Sequence, residues 1–165
     1  MEQVALSLQK WAIAKRQDMT DFDLYGRSAF NRYYYASYLK VRELIVEFEP
    51  QWAGGHATVP EFLTGSIERE IKKSRSTALR RQQADVVEIC NRAVKAIVSL
   101  ANIMQLAYSI RVTADYNPTI KIIDAADSRF KLGNTSITEA HNWVVQVQSL
   151  IVVIRRAWRL ARGTA

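Results

Sequence analysis

Apolar residues recur every three or four positions along most of the chain, the spacing that builds one face of an α-helix. A first amphipathic segment runs from about Val4 to Asp18. A second begins near Asp23 and ends by Pro50, with Phe30, Tyr34, Tyr38, Val41, Ile45 and Phe48 on one stripe. The loop from Pro50 to His56, which carries Gly54-Gly55, breaks that pattern. Thr58-Val59-Pro60-Glu61 then reads as a capping box with proline in the first turn, so a third helix is expected to start there. The longest pattern runs from roughly Ala78 to Ala114, with Val86, Ile89, Ala93, Ile97, Leu100, Met104 and Ala107 as its stripe and Arg111 as the next step along it. Asp115-Tyr116-Asn117-Pro118 ends this helix, because proline disfavours helical geometry in the residue before it.

A loop of about twenty residues is expected next, a length that often carries function. It is locally β-branched at Thr119-Ile120-Lys121-Ile122-Ile123. Ser136-Ile137-Thr138-Glu139 is a second capping box and opens a last helix to about Arg162, with Ile137, Ala140, Val144, Val147, Ile151, Ile154 and Trp158 on one face. Five helices with no convincing strand and no internal repeat predict an all-α, up-and-down-type bundle. The 165 residues suit a single domain, 1–165, long enough to bury a core.

Composition changes this picture in two ways. The chain has one cysteine, Cys90, and so no internal disulfide; it fits a reducing compartment. Its net charge of +7 is unevenly placed: residues 1–50 hold seven bases and seven acids, and the remainder holds sixteen bases and nine acids. One basic cluster comprises Arg69, Lys72, Lys73, Arg75, Arg80 and Arg81. A second comprises Arg155, Arg156, Arg159 and Arg162, with no acid after Glu139. Such surplus suits a phosphate-bearing partner, although charge runs also serve as plain solvated faces. Met1-Glu2-Gln3-Val4 does not read as a signal peptide, and the uncharged stretch Ala96–Ile110 better suits a buried helix than a membrane span. A cytoplasmic protein is expected.

Several chemistries are excluded by motif. There is no glycine-rich phosphate loop, no paired-cysteine zinc spacing and no His-Glu-x-x-His or Gly-x-Ser-x-Gly. The two histidines, His56 and His141, lie 85 positions apart. No metal site and no cofactor are expected.

Ser28-Ala29-Phe30-Asn31-Arg32-Tyr33-Tyr34-Tyr35-Ala36 resembles the second-helix signature of HEPN domains, often written Asn-Arg-x-Tyr-Tyr-Ala. His56, just before the third helix, resembles a histidine-bearing loop of one branch of that family. Leu106 to Tyr116, with Arg111 followed by Ala114-Asp115-Tyr116, resembles its fourth-helix end, and Thr138-Glu139-Ala140 fits the opening of its last helix. The likeness spans about residues 5–160. It implies a helical bundle that dimerises and acts on or binds RNA, as a toxin or in antiviral defence. Implied partners are RNA, a second copy, or a protein encoded nearby such as a nucleotidyltransferase antitoxin or a defence effector, with no membrane. Many HEPN domains are metal-independent endoribonucleases; others lack the catalytic motif and serve in assembly, and some relatives are suggested to bind nucleotides.

The active members carry a histidine four to six residues after the arginine, and this chain departs from that pattern. The fifth position after Arg111 is Tyr116, and no histidine falls in the window. Histidine titrates near neutral pH and can accept the 2′-hydroxyl proton; tyrosine, with a reference pKa of about 10, is a poor base. Arg111 can still hold a phosphate bidentately. The candidate catalytic residues are Arg111, Tyr116 and Asn31. The candidate nucleic-acid contacts are Arg32, His56, Lys72, Lys73, Arg75, Arg80, Arg81, Arg155, Arg156 and Arg159. Structural roles stand beside these: an ion pair of Arg111 with Asp115, four residues on; local backbone bonding for Asn31 and His56; packing for Tyr33, Tyr34, Tyr35, Tyr38 and the four tryptophans.

Overall fold

The structure is a computed structural model that describes residues 1–52, 54–125 and 129–163. It is mostly helical. α1 is Glu2–Ala14 and α2 is Met19–Phe48. α3 covers 59–80, entering as Val59–Glu61, widening into a π-helical stretch at Phe62–Ile67 and continuing as Glu68–Arg80. α4 is Ala84–Tyr116 and α5 is Ile137–Arg162. Two short 3₁₀ turns, Pro50–Trp52 and His56–Thr58, join α2 to α3; Ala53, inside the loop expected there, lies outside the described residues.

The chain divides into two compact units, Met1–Leu39 with Leu106–Val145, and Lys40–Gln105 with Gln146–Ala165. In the first unit, Phe22 and Phe30 meet the edge of Phe130 at 5.6 and 6.0 Å. Tyr33, Tyr34, Ile122, Leu132, Ile137 and Trp143 are buried with them. In the second, Phe48 stacks on Trp158 at 4.3 Å, and Val41, Leu44, Ile45, Leu63, Ile67, Ile71, Ile97, Leu100, Val147 and Ile154 fill the interior. Every residue of the expected α2 and α5 stripes is buried.

Three expectations are corrected. The stretch after α4 contains a three-stranded antiparallel sheet: β1 Ile122–Ala125, β2 Arg129–Leu132 and β3 Thr135–Ser136. β1 and β2 pair from Ile122↔Leu132 to Ala125↔Arg129, and Leu132 faces Thr135 across the next turn. Phe130 and Leu132 alternate inward, and Gly133 supplies a positive φ of 58° at the first central position of a two-residue hairpin turn. Residues 126–128, which also fall in the expected loop, lie outside the described ones.

The capping box at Thr58 is the second correction. Thr58 Oγ1 donates backward to the Gly55 carbonyl at 2.8 Å and makes no cap on α3. A side chain at Gly54 would collide with that hydroxyl, so the glycine lets the loop fold onto Thr58. The box at Ser136 does form, its Oγ accepting from Glu139 N at 3.1 Å.

The third concerns the start of α4, expected near Ala78: Ala78 belongs to α3, Gln82 turns the chain with a φ of 57°, and α4 begins at Ala84. Its stripe is fully buried from Cys90 and Ala93 onward, while Val86 and Ile89 are half-buried. By length and composition α4 would pass as a membrane span. Its Ala93, Ile97, Leu100, Met104 and Ala107 nonetheless face a protein core, while Glu88, Arg92 and Lys95 are exposed.

Candidate functional site

α2 begins on a side-chain cap: Asp18 Oδ1 accepts from the backbone N–H groups of Thr20 and Asp21 at 3.0 and 3.1 Å. From there Asp23, Arg27 and Asn31 follow at intervals of four, one face of the helix. All three are bonded to the end of α4 or to the segment after it. Asp23 Oδ1 accepts from Ile122 N at 2.9 Å, and its Oδ2 is 3.2 Å from Lys121 Nζ. Arg27 donates to the carbonyls of Ile120, Thr113 and Asn117 at 2.5, 2.9 and 3.0 Å. A guanidinium on carbonyls at and just beyond the last turn opposes the negative end of the helix dipole. Asn31 Nδ2 donates to Asp115 Oδ1 at 2.6 Å. Gly26, between Asp23 and Arg27, lets Ile122 come close: a Cβ there would stand 2.9 Å from Ile122 Cγ1.

Arg111 lies within this group. Its Nε is 2.9 Å from Asp115 Oδ2, a contact off the line of the N–H and so an ion pair more than a hydrogen bond. The guanidinium sits 5.9 Å from the Tyr35 ring centre and 5.3 Å from that of Tyr116. Burial alone would lower its pKa, but Asp115, a hydrogen bond with Tyr116 and the nearby phenols outweigh it and raise the value. Arg111 is therefore a fixed cation, with a side chain only 15% exposed.

The fold thus gathers Asn31, Arg111, Asp115 and Tyr116. Both Asp115 oxygens are occupied, one by Asn31 and one by Arg111. The neighbouring tyrosines are no better as bases. Tyr33 donates to Gln9 Oε1 at 2.7 Å, and burial, reinforced by the charge of Glu2, pushes its hydroxyl up to about 12. Burial among Tyr35, Tyr38 and Tyr108 pushes Tyr34 above the ordinary phenol range against the pull of Arg111. His141 stacks on Tyr33 at 5.2 Å.

Beside this cluster an open groove of about 480 Å³ is lined by Thr20, Leu24, Arg27, Asn31 and Arg32 together with the acids Asp23 and Asp115. Arg27 directs three of its donors to carbonyls. Arg32 is half-buried, 6.0 Å from the Tyr35 ring centre, and among the described residues no carboxylate pairs with it. It is the cation the groove offers to an anion.

The remaining candidates belong to the second unit. His56 is half-buried at the start of its 3₁₀ turn. Lys72 pairs with Glu68 at 2.5 Å, Arg75 donates to Asn91 at 3.1 Å and Arg80 reaches Thr77 at 3.5 Å. The acid-free tail is not uncompensated as its sequence suggests. Arg155 Nε bonds both oxygens of Glu47 at 3.0 and 2.9 Å, Arg159 stands 3.7 Å from the same carboxylate, and Arg162 meets Glu49 at 2.6 Å. Carboxylates 108 and 113 positions away, one on α2 and one just past its end, do what local sequence does not. Lys73, Arg81 and Arg156 are exposed and, among the described residues, form no ion pair. Cys90 is buried, and that burial raises its thiol above the usual range despite Ser74 and Arg75.

Asp23 and Arg27 were not among the sequence candidates. Their four-residue spacing with Asn31 on an otherwise aromatic helix was the available signal. Among the described residues no cluster of three or more His, Cys, Asp or Glu side chains is placed to hold a metal. No protein-family model, no curated protein and no solved structure matches the chain.

Proposed function

We propose that this chain is a HEPN-like helical domain of a toxin or defence system that binds RNA without cleaving it. One observation supports the reading above others. The two segments that carry the resemblance, 80 or so positions apart, meet through Asn31, Asp115 and Arg111 at 2.6 and 2.9 Å. Next to them, Arg32, which pairs with no carboxylate among the described residues, lines a groove of about 480 Å³, within the size range of small-ligand sites. Binding without cleavage is supported by two features: Arg111 is paired with Asp115, and no histidine falls four to six residues after it.

Fluorescence anisotropy with single-stranded and hairpin RNA in EDTA, across a salt series, tests both halves. Binding that weakens with salt is expected, with the slope of log K against log salt reduced by about 0.7 in Arg32→Ala, the value of one lost phosphate contact on a single strand. The RNA stays intact. Absence of binding at low salt overturns the RNA reading; cleavage that Arg111→Ala abolishes overturns the inactive one. A second reading, an inactive assembly module for a protein partner or a nucleotide, is favoured by the same missing histidine after Arg111.

A further inference from the structure

The second unit carries two depressions, of about 520 and 580 Å³, that share Leu160 as a wall. One has Ile89, Val152 and Leu160 as its aliphatic surface, with Arg155, Arg156 and Arg159 around it. The other sets Val86 beside Lys73, Arg81 and Arg162. The two basic clusters, about 80 positions apart in sequence, therefore line adjoining hollows. On α5, Val152, Arg156 and Arg159 follow at helical spacing along one face, and Val86 and Ile89 do so on α4. Val152 is 61% exposed, and Val86 and Ile89 continue the core stripe of α4 without being covered by it.

We propose that this surface docks an acidic amphipathic helix of a protein partner. The charge points to an acidic ligand: Lys73, Arg81 and Arg156 have no ion pair among the described residues, and against them the lining sets Glu70. The apolar part points away from nucleic acid. No aromatic residue lines either hollow, so bases would find no ring to stack on, whereas Val, Ile and Leu match an aliphatic stripe. The walls are helices whose backbone groups are largely bonded internally. An extended peptide laid there would lose its own backbone bonds to water without replacement; a helix brings them already made. Leucines at every third or fourth position would cover Val152, Ile89 and Leu160, and flanking carboxylates would meet Arg156, Arg81 and Lys73. This inference goes beyond the RNA reading and does not need it.

The test uses the full chain and a fluorescein-labelled peptide of about 18 residues, roughly five helical turns, with Leu on one face and Glu and Ala on the other. A scrambled peptide of the same composition and a labelled oligouridylate serve as comparisons. The striped peptide is expected to bind, and Val152→Glu and Arg156→Glu are each expected to weaken it about tenfold, at unchanged thermal midpoint because both side chains are exposed. Arg156→Gln repeats the measurement without charge reversal and is expected to weaken binding less than Arg156→Glu. Failure of the striped peptide to bind, equal binding of the scrambled one, or indifference to both substitutions overturns the proposal. So does oligouridylate bound at this face, recognised by its loss in the same variants.

Discussion

Asn31 Nδ2 donates to Asp115 Oδ1 across 2.6 Å, and Arg111 Nε stands 2.9 Å from the other oxygen of the same carboxylate. The arrangement is lopsided. Asn31 Oδ1 is buried and among the described residues has no hydrogen-bond partner, so the residue brings one good bond and one unsatisfied acceptor. Removing Asn31 with alanine deletes both, and the net loss is expected to be about 1 kcal/mol or less. Asp115→Ala instead strands a largely buried guanidinium and leaves Asn31 Nδ2 unbonded, for an expected loss of about 2–3 kcal/mol. Urea unfolding of the two variants checks the order; equal losses would show that the carboxylate does not organise this cluster.

Arg27 holds three carbonyls at the end of α4 and beyond it. Arg27→Met keeps most of the apolar stem and removes every donor. Stability is expected to fall by about 2 kcal/mol, since bonds from a charged donor count more than neutral ones but these are partly exposed. Hydrogen exchange localises the effect: the amides of Asn117 and Ile120, bonded to Thr113 and Asn117, are expected to exchange faster while the α5 core does not change. Uniform loss of protection would mean that Arg27 acts on the whole fold and not on this helix end.

What could be read from the sequence divides along physical lines. α2 and α5 were legible because a 3.6-residue period sustained over many turns leaves little alternative, and every stripe residue from Ile137 to Trp158 is buried. The Arg111–Asp115 pair was legible because its partners are four residues apart. The hairpin was not, because Phe130 and Leu132 alternate over only one four-residue strand; the signal missed was Gly133-Asn134, a hairpin-turn dipeptide, directly after them. Arg27 on the α4 carbonyls and Glu47 on Arg155 join residues 86 to 108 positions apart, and no local pattern encodes such a meeting.

Alkaline pH should act through the buried tyrosines. The Tyr33 hydroxyl is raised from 10.0 to about 12 in the folded chain. A raised folded value favours the native state fully below the unfolded value and loses that contribution as pH climbs through the folded one. Stability is therefore expected to be unaffected by this group up to about pH 9, then to fall between pH 10 and 12 at a limiting slope near 1.4 kcal/mol per pH unit for each such tyrosine. Tyr34, raised by the same cause, adds to the fall. Tyr33→Phe, measured by denaturant titration across this range, is expected to be less stable at pH 8 through loss of the Gln9 bond, yet to decline less steeply above pH 10. An unchanged slope would assign the alkaline loss elsewhere.

Gln82 has φ of 57°, and it is the position where α3 stops. The N–H of Gln82 bonds the Leu79 carbonyl at 3.1 Å, and that of Gln83 bonds the Ala78 carbonyl at 3.0 Å, which is the pair of bonds of a Schellman helix end. That motif places its left-handed residue just after the C-cap, here Arg81, and glycine occupies it without a Cβ penalty. An L side chain in this conformation costs roughly 1–2 kcal/mol, while glycine gives back part of the difference through the entropy of the unfolded chain. Gln82→Gly is accordingly expected to raise stability by about 0.5–1 kcal/mol with no change in helix content. Gln82→Val, β-branched and poorly suited to positive φ, is expected to lower it by about 1 kcal/mol or more. Thermal and urea midpoints of the two variants moving in opposite directions would establish that the left-handed turn, and not a contact of the glutamine side chain, governs this junction.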